Sequence, residues 1–398
     1  MIKESNFRKR SLIPFLIFLI SPIFSLPFIL HDVYFRKRGA LFILAMFMGI
    51  LTYLLLPDWS LDIARYYRGY QEMEYFSLKD FLSYLETRTD YVFYLLFFIF
   101  NKLSAKFQLL LFCLSTFNFF VFFYLFDHII GKKIVNNRVY FFSFIFYFFS
   151  ITILYYLSGT RYVLGCSFFL LSILFFYFKD SKLKGGLFFV LSLLTHIGVL
   201  IYLPVFILIY KVKNRKLMIK LSCVTFVLFT LIPVQGLLSL ISPILPGFSN
   251  KAIIYINEVR DTNWSILLSY FITISIGLFF LVKYYVLLPK TLLNVLLLVL
   301  LPVVITIPFG FLVYDRYVMN FKPILVISLI YICTTSAYVK HMYSLILLRK
   351  ILYLSFILYF IFSVYLYRHN IKPYFTIENL FLYKILQTTY TLKDIFYL

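Results

Sequence analysis

Residues Phe107–Phe126 read FQLLLFCLSTFNFFVFFYLF, a run of 20 residues without a charged side chain. A helix needs about 20 apolar residues to cross the hydrocarbon core of a bilayer. The whole chain follows this pattern, because 63% of its 398 residues are hydrophobic and only 14% are charged. In soluble domains about 45–50% of the residues are apolar and about 25% are charged. The composition excludes a soluble globular protein and predicts an all-α, polytopic integral membrane helical bundle.

Nine other apolar runs are long enough, or nearly long enough, to cross a membrane as helices. With two further irregular segments, the bundle is predicted to have about 10–12 spans. The ten predicted spans are Leu12–Leu30, Ala40–Leu56, Phe107–Phe126, Tyr140–Leu157, Tyr162–Phe178, Leu217–Gln235, Ser265–Val282, Leu292–Phe309, Ile324–Val339 and Ile351–Tyr367.

The two irregular segments do not fit a simple succession of spans. Tyr91–Phe100 is half the required length and follows a polar stretch, so we interpret Phe76–Ser104 as amphipathic helices at the membrane surface. Leu187–Ile209 is long enough for one span, but lysines flank both of its ends. It is either two half-helices that meet near His196 and return, or a plain single span.

The basic residues predict the orientation of the chain. Lys and Arg number 38 against 16 Asp and Glu, a formal charge of +22. These residues lie in clusters between apolar runs, so the positive-inside rule explains them and no nucleic-acid partner is expected. The prolines of Leu12–Leu30 allow either a span or a bent hairpin, which leaves the N-terminal orientation open. A cleaved signal peptide is disfavoured, because basic residues follow this long run at once.

This orientation defines the parts of a single multi-pass membrane domain, 1–398. The outer face receives an acidic loop with surface helices at 58–104, a turn at 158–161, a loop at 236–264 and a turn at 310–322. A C-terminal tail follows at 368–398.

The acidic loop concentrates the carboxylates of the protein. Seven of the sixteen acids lie between residues 58 and 90. Asp58 and Asp62 are one helical turn apart, and Arg65 is nearly one turn further on. A carboxylate beside aromatic rings at a lipid boundary can act as a general base, while an arginine can hold a phosphate. The alternative is an ordinary solvated loop.

Other candidates lie at the predicted outer ends of spans. Arg161 opens an apolar run with no acid near it in the sequence, and is either functional or a snorkelling end residue. Asp315 and Arg316 are either a site or a local ion pair. His196 is either a core histidine or a catalytic group.

Common catalytic motifs are absent from the sequence. It has no Gly-rich phosphate loop, no His-Glu-x-x-His pair and no Gly-x-Ser-x-Gly elbow. Each of the four cysteines lies in a separate apolar run, which does not indicate a disulfide framework or a metal site. We therefore expect no cofactor and no metal.

Several short motifs together resemble the EpsG-like, Wzy-type bacterial polysaccharide polymerases that make O-antigens, capsules and exopolysaccharides. The resemblance extends from about Ala40 to about Tyr374. Where the family usually has Gly-Thr-Asp this chain has Ser60-Leu61-Asp62, and where it often has Arg-Gln this chain has Arg161-Tyr162. The matching motifs are Asp58-Trp-Ser-Leu-Asp62-Ile-Ala-Arg65-Tyr66-Tyr67, Glu86-Thr-Arg-Thr-Asp-Tyr-Val, Gly159-Thr-Arg161, Leu-Leu-Thr-His196-Ile-Gly and Asp315-Arg316-Tyr317.

The resemblance implies a GT-C-like membrane glycosyltransferase in the bacterial plasma membrane. Such an enzyme transfers a growing glycan from undecaprenyl diphosphate to the non-reducing end of a lipid-linked oligosaccharide repeat unit at the outer face. Its partners would be that substrate, membrane lipid, and a chain-length regulator and flippase of the same pathway. Asp62 or Asp58 is then the candidate catalytic base. The candidate substrate and diphosphate contacts are Arg65, Tyr66, Tyr67, Arg161, His196, Asp315 and Arg316.

Two other classes remain open from the sequence. A lipid-linked oligosaccharide flippase would have a similar basic cytoplasmic face, but it would line a central cavity with charges from several helices. A membrane glycosyltransferase or acyltransferase that modifies a finished polysaccharide is the second alternative, and an acyltransferase would centre its site on His196.

Overall fold

The computed structural model describes most of the chain as helices. The described residues are 11–57, 62–151, 153–158, 160–212, 214–231, 264–306, 311–334, 346–347, 349–351, 353–354, 357–358, 361, 371–373 and 380–387. They divide into two compact units: Met1–Ile145 with Thr152–Gly198 and Phe360–Leu398, and Phe146–Ile151 with Val199–Tyr359. The outer loop predicted at 236–264 lies outside the described residues except for Trp264, and most of the tail predicted at 368–398 lies outside them as well.

The first unit is built from helices and one short pair of strands. Its elements are α1 (Leu12–Ile20), α2 (Pro22–Tyr34), α3 (Ala40–Leu54), β1 (Leu55–Pro57), α4 (Asp62–Glu72), α5 (Leu78–Glu86), α6 (Tyr91–Lys102), α7 (Phe107–Ile129), the start of α8 (Asn137–Phe148), α9 (Ile153–Ser158), α10 (Thr160–Ile173), α11 (Lys182–Thr195), β2 (Ile371–Pro373) and α17 (Leu382–Gln387). A single π-helical turn, Leu174–Phe178, extends α10.

The second unit contains the remaining long helices. They are α12 (Tyr202–Lys211), α13 (Arg215–Leu231), α14 (Trp264–Tyr284), α15 (Lys290–Thr306) and α16 (Phe311–Thr334). Inside this unit Asn320 of α16 donates a hydrogen bond to the Tyr202 hydroxyl of α12 over 3.0 Å. The unit therefore joins its apolar helices through at least one buried polar contact.

The all-α membrane class is confirmed, with one pair of three-residue strands added to it. Among the described residues, three helices are long and apolar enough to cross a membrane: Phe107–Lys133, Arg161–Phe178 and Arg316–Thr334. Shorter apolar helices cover Ala40–Leu54, Tyr91–Lys102, Ile197–Lys211, Phe271–Leu287 and Lys290–Thr306. The total number of spans stays a prediction.

The segment Leu12–Leu30 forms a helical hairpin and not one continuous helix. Ser21 has an extended backbone between α1 and α2, as expected for a residue that precedes a proline. The Ser11 hydroxyl donates to Asp32 over 2.5 Å, which brings the start of α1 to the end of α2. The Ser11 amide also donates to the Arg38 carbonyl over 3.2 Å. Ser11 thus lies on the same side as the basic turn before α3, as the hairpin alternative predicts.

Two other boundaries differ from the sequence prediction. Tyr140–Leu157 is interrupted between α8 and α9, where the amide and the hydroxyl of Ser150 both donate to the Tyr147 carbonyl, over 3.0 Å and 2.6 Å. The turn predicted at 310–322 is wrong, because α16 is helical from Phe311 and Tyr317–Lys322 are buried. The polar residues that indicated a turn lie instead within a packed helix.

The irregular segments are helical, as predicted. α5 and α6 occupy the stretch interpreted as surface helices, and the 12 residues of α6 extend about 18 Å, less than the roughly 30 Å of a hydrocarbon core. The helix α11 ends at His196, before a 3-10 segment and α12. This break agrees with two half-helices, while their return to the same face stays a prediction.

Small and hydroxyl side chains set the spacing of helices in the first unit. Thr52 of α3 donates to Ser115 of α7 over 2.8 Å, and Ser167 of α10 donates to Asn118 of α7 over 2.8 Å. Gly49 lies where α3 approaches α7 closely. Between apolar helices in lipid, such small and polar contacts replace a hydrophobic driving force.

The C-terminal part of the chain returns to the first unit. β1 and β2 pair antiparallel with Leu56 opposite Lys372. The Tyr53 hydroxyl donates to the Leu386 carbonyl over 3.1 Å, and the Lys106 ammonium group donates to the same oxygen over 2.9 Å. These contacts hold α17 near the end of α3 and the start of α7.

We predict that Gly49→Ala destabilises the protein by about 1–3 kcal/mol, the usual cost of overpacking. A Cβ at this position would lie 2.9 Å from the Phe112 carbonyl oxygen and would also meet the Thr116 hydroxyl. Thermal unfolding of the full chain in detergent measures the effect. The matched control is Gly186→Ala in α11, where no atom lies within 4 Å of the added Cβ. Equal stability of the two variants would contradict close α3–α7 packing.

Candidate functional site

The centre of the candidate site is the carboxylate of Asp90, which joins two cationic or basic side chains. Asp90 is 6% exposed and immediately precedes α6. Its Oδ2 atom accepts a hydrogen bond from Arg161 Nη1 at 2.7 Å, and its Oδ1 atom is 3.4 Å from His196 Nδ1. We refer to Asp90, Arg161 and His196 as the triad.

Arg161 reaches Asp90 because it lies in the first turn of α10, which begins at Thr160. Gly165 follows one helical turn later on the same face. A Cβ at Gly165 would lie 3.0 Å from the Cβ of His196, and the Ser192 hydroxyl donates to the Gly165 carbonyl over 2.5 Å. The absence of a side chain at Gly165 thus lets α11 bring His196 beside Arg161.

The position of His196 is fixed because it directly follows the last residue of α11, Thr195. Its backbone is extended, with φ −156°, and its amide still donates to the Ser192 carbonyl over 2.9 Å. The ring is therefore attached at a fixed helix end while the following residues change to a 3-10 conformation. Such a break positions a polar side chain between apolar helices.

Aromatic rings surround the triad. The Arg161 guanidinium carbon is 5.8 Å from the ring centre of Tyr66 on α4. The Tyr162 ring meets His196 edge to face, with centres 5.2 Å apart. Tyr66 packs in turn on Phe93 of α6 at 4.9 Å. The site is thus attached to the aromatic core formed by α4, α5, α6 and α7.

The triad keeps Asp90 ionised. Burial alone would raise the pKa of this carboxyl, but the neighbouring His196 ring and the Arg161 guanidinium together hold its pKa below the usual range. The side chain of Arg161 is 29% exposed, against 8% for Asp90. The cation is therefore the accessible member of the pair, and the carboxylate lies behind it.

The two predicted catalytic acids fall at the edge of what the structure describes. Asp58 lies outside the described residues, and so does the side chain of Asp62. The backbone of Asp62 begins α4, one helical turn before Tyr66. Asp62 is therefore on α4, the same helix whose Tyr66 ring lies near the Arg161 guanidinium.

The other predicted residues divide between the two units. Tyr66 contacts Arg161, whereas Tyr67 packs on Phe107 with ring centres 5.4 Å apart and supports the aromatic core. Arg65 is exposed on α4. Asp315 and Arg316 belong to α16 in the second unit, where Arg316 is half-buried and the Asp315 side chain lies outside the described residues.

Asp90 is the site residue that sequence reasoning misses. The sequence places it among the acids of the outer loop and has no acid near Arg161 along the chain, whereas the fold brings Asp90 to Arg161 from 71 residues away. Asp directly before an apolar helix is typical of an N-cap. Here it makes no side-chain cap hydrogen bond, because its carboxylate is turned to Arg161. An acidic N-cap residue beside a helix as apolar as α6 is the signal that the sequence offers.

The triad can bind an anion through Arg161 and can exchange a proton through His196. A guanidinium stays charged and binds phosphate oxygens in pairs. Within the described residues, no group of three or more His, Cys, Asp or Glu side chains is arranged to hold a metal ion.

The chain belongs to the EpsG family, whose family model matches residues 38–376. Searches of curated proteins and of solved structures found no match. Membership of this family, together with the apolar helices, supports a membrane protein with a glycosyltransferase-like, polysaccharide polymerase-like role.

We predict that Asp90→Asn lowers stability at neutral pH by about 1.5–3 kcal/mol, the range for hydrogen bonds to charged groups. Folding lowers the pKa of Asp90 from its ordinary value of 3.8. The contribution of the carboxylate to stability is therefore present above that ordinary value and is lost as the pH falls through the folded pKa. The difference in unfolding temperature between wild type and Asp90→Asn should narrow below about pH 4.

Thermal unfolding in detergent across acidic and neutral pH checks this result. Glu86→Gln, at the exposed end of α5, is the control and should stay close to wild type throughout. A stability difference between wild type and Asp90→Asn that does not change with pH would contradict an ionised Asp90 in the folded protein.

Proposed function

We propose that this EpsG family protein polymerises lipid-linked oligosaccharide repeat units at the outer face of the bacterial plasma membrane. The growing glycan leaves undecaprenyl diphosphate and is transferred to the non-reducing end of the next lipid-linked repeat. The family match supports the polymerase class. The observation that carries the proposal within the fold is the partly exposed Arg161, backed by the buried Asp90 carboxylate.

A diphosphate leaving group needs cationic stabilisation. Arg161 supplies a charge that does not titrate and a planar fork that matches phosphate oxygens. Asp90 and Tyr66 hold the guanidinium in one position, so little reorganisation is required when negative charge develops on the leaving oxygen. The carrier diphosphate would bind on the accessible side of Arg161.

The attacking sugar hydroxyl needs a proton acceptor near this cation. Asp62 is our first candidate and Asp58 our second. Asp62 precedes Tyr66 by four residues, a rise of about 6 Å along α4, and the Tyr66 ring lies against Arg161. The candidate base and the diphosphate contact are thus connected through one helix.

Further contacts would hold the glycan and its carrier. Arg65 and Tyr67 on α4 and Asp315 and Arg316 on α16 are proposed substrate contacts, and apolar helices would accommodate the polyprenyl chain in membrane lipid. The reaction as proposed uses no nucleotide, metal or other cofactor. A flippase would supply the repeats, and a chain-length regulator would act on the product.

The glycan that accumulates when the protein is lost differs between a polymerase, a flippase and a transferase that modifies a finished polymer. Loss of a polymerase leaves single repeat units on the carrier at the outer face. Loss of a flippase leaves them on the cytoplasmic leaflet. Loss of a decorating enzyme leaves long but unmodified polymer. The location and length of the accumulated glycan therefore separate the three classes.

We expect Asp62→Asn or Arg161→Ala to reduce long polymer by about 100-fold or more, as does removal of a group that stabilises a transition state. Single repeats should remain on the outer leaflet. Lipid-linked glycans are extracted and sized, and leaflet location is measured by their accessibility to an added glycosidase in intact spheroplasts. Glu86→Gln and Lys79→Ala are matched controls on exposed positions of α5.

Long chains in both site variants would show that this site assignment is wrong. Repeats trapped on the cytoplasmic leaflet would overturn the polymerase in favour of a flippase.

A further inference from the structure

We propose that His196 acts as an imidazolium that donates its proton to the leaving diphosphate, and that Asp90 is the positioning residue that holds it in this state. The inference rests on the proposed function, since it concerns the same leaving group. The inference gives the reaction a general acid, His196, for the leaving diphosphate, in addition to the candidate base, Asp62, for the acceptor hydroxyl.

The charges of the triad support this role. With His196 neutral, Asp90 and Arg161 cancel and the triad has no net charge. With His196 protonated, the triad has one net positive charge to offer to an anionic substrate. A carboxylate within about 4–6 Å favours the charged form of an imidazole, and here the Oδ1–Nδ1 distance is 3.4 Å. The interaction is reciprocal, since the His196 ring also favours the ionised form of Asp90.

The two ring nitrogens of His196 have different roles in this proposal. Nδ1 faces the Asp90 carboxylate, which fixes the orientation of the ring. The side chain of His196 is 10% exposed, and its ring is also held by the edge-to-face contact with Tyr162. We assign Nε2, the nitrogen on the side of the ring away from this carboxylate, to the substrate, while Arg161 binds the other carboxylate oxygen.

The proposed step conserves atoms and charge. The acceptor hydroxyl oxygen forms a bond to the anomeric carbon, and its proton passes to the proposed base, Asp62. The bond between the anomeric carbon and the phosphate oxygen breaks, and its electron pair stays on that oxygen. His196 gives its Nε2 proton to this oxygen, which cancels the charge that cleavage creates, and Arg161 offsets part of the negative charge that the diphosphate already carried. Exchange with water then restores both side chains.

This role makes diphosphate binding depend on pH. Asp90, before α6, and Tyr162, on α10, contact His196, and Arg161, on α10, binds the other oxygen of the same Asp90 carboxylate. Of these, Asp90 favours the imidazolium and Arg161 opposes it. Asp90→Asn removes the charge that favours the imidazolium and keeps the one that opposes it, so loss of the imidazolium should move to lower pH.

Inorganic pyrophosphate is the probe that tests the inference without requiring polymerisation. Its dissociation constant is measured for the purified full chain in lipid nanodiscs from about pH 5.5 to pH 8.5, a range that brackets the ordinary histidine pKa of about 6.5. The control is His196→Gln, which keeps a neutral hydrogen-bond donor but cannot titrate. It also corrects for titration of pyrophosphate itself.

Wild type should bind about tenfold more tightly than His196→Gln at the acidic end, the value of one charge-assisted hydrogen bond. The two should converge at the basic end. The reference for Asp90→Asn is the double variant Asp90→Asn/His196→Gln, which has the same charge at position 90. Asp90→Asn should converge with this double variant at a lower pH than the one at which wild type converges with His196→Gln, and Asp90→Glu should move the convergence back toward the wild-type pH. A merely structural role for the triad would weaken binding equally at every pH.

Parallel pH dependences of wild type and His196→Gln would overturn the inference. Failure of the proposed function gives a different result: the pyrophosphate pattern would hold, but wild-type protein supplied with the lipid-linked glycan from deletion cells would not lengthen it. If wild type lengthens that glycan and the pH dependences are parallel, the polymerase stands and the role of His196 is wrong.

Discussion

A carboxylate removed from water must be matched by nearby cations, and in this protein that requirement brings distant parts of the chain together. Asp90 contacts Arg161, which is 71 residues away in the sequence, and His196 beyond it. An uncompensated charge at this position would cost several kcal/mol. The start of α10, the end of α11 and the start of α6 are therefore not independent, because each contributes one member of the triad. The site and the helix arrangement have the same physical origin.

The packing around the triad depends on side chains that take little space. Gly49 allows α3 to approach α7, and Gly165 allows α11 to approach α10. Hydroxyl groups then bond across these close contacts, as Ser192 does to the Gly165 carbonyl. Lipid tails are as apolar as leucine, so helices gain little from hiding leucines from lipid. Close contacts and short polar bonds determine which helices pair and at what distance.

The sequence predicts the helical class and several elements well, because length and apolarity are local properties. The apolar run 107–126, which lies within α7, is an example. Polar residues at 310–322 mislead the prediction, since a buried polar face such as that of Asn320 is indistinguishable in sequence from a surface turn. Arg161, His196 and Tyr66 can be selected as candidates, but their partner Asp90 cannot. Pairing across 71 residues is a property of the fold and has no local signature.

The pairing of β1 with β2 has a consequence for biosynthesis. The strand that leads into the acidic segment finds its partner only at Ile371–Pro373, and α17 binds α3 and the start of α7 through the Leu386 carbonyl. A chain that emerges from the ribosome in order inserts α3 through α11 long before these residues exist. The first unit therefore closes only near the end of translation, and β1 gains its partner strand after α3 through α16 have been synthesised.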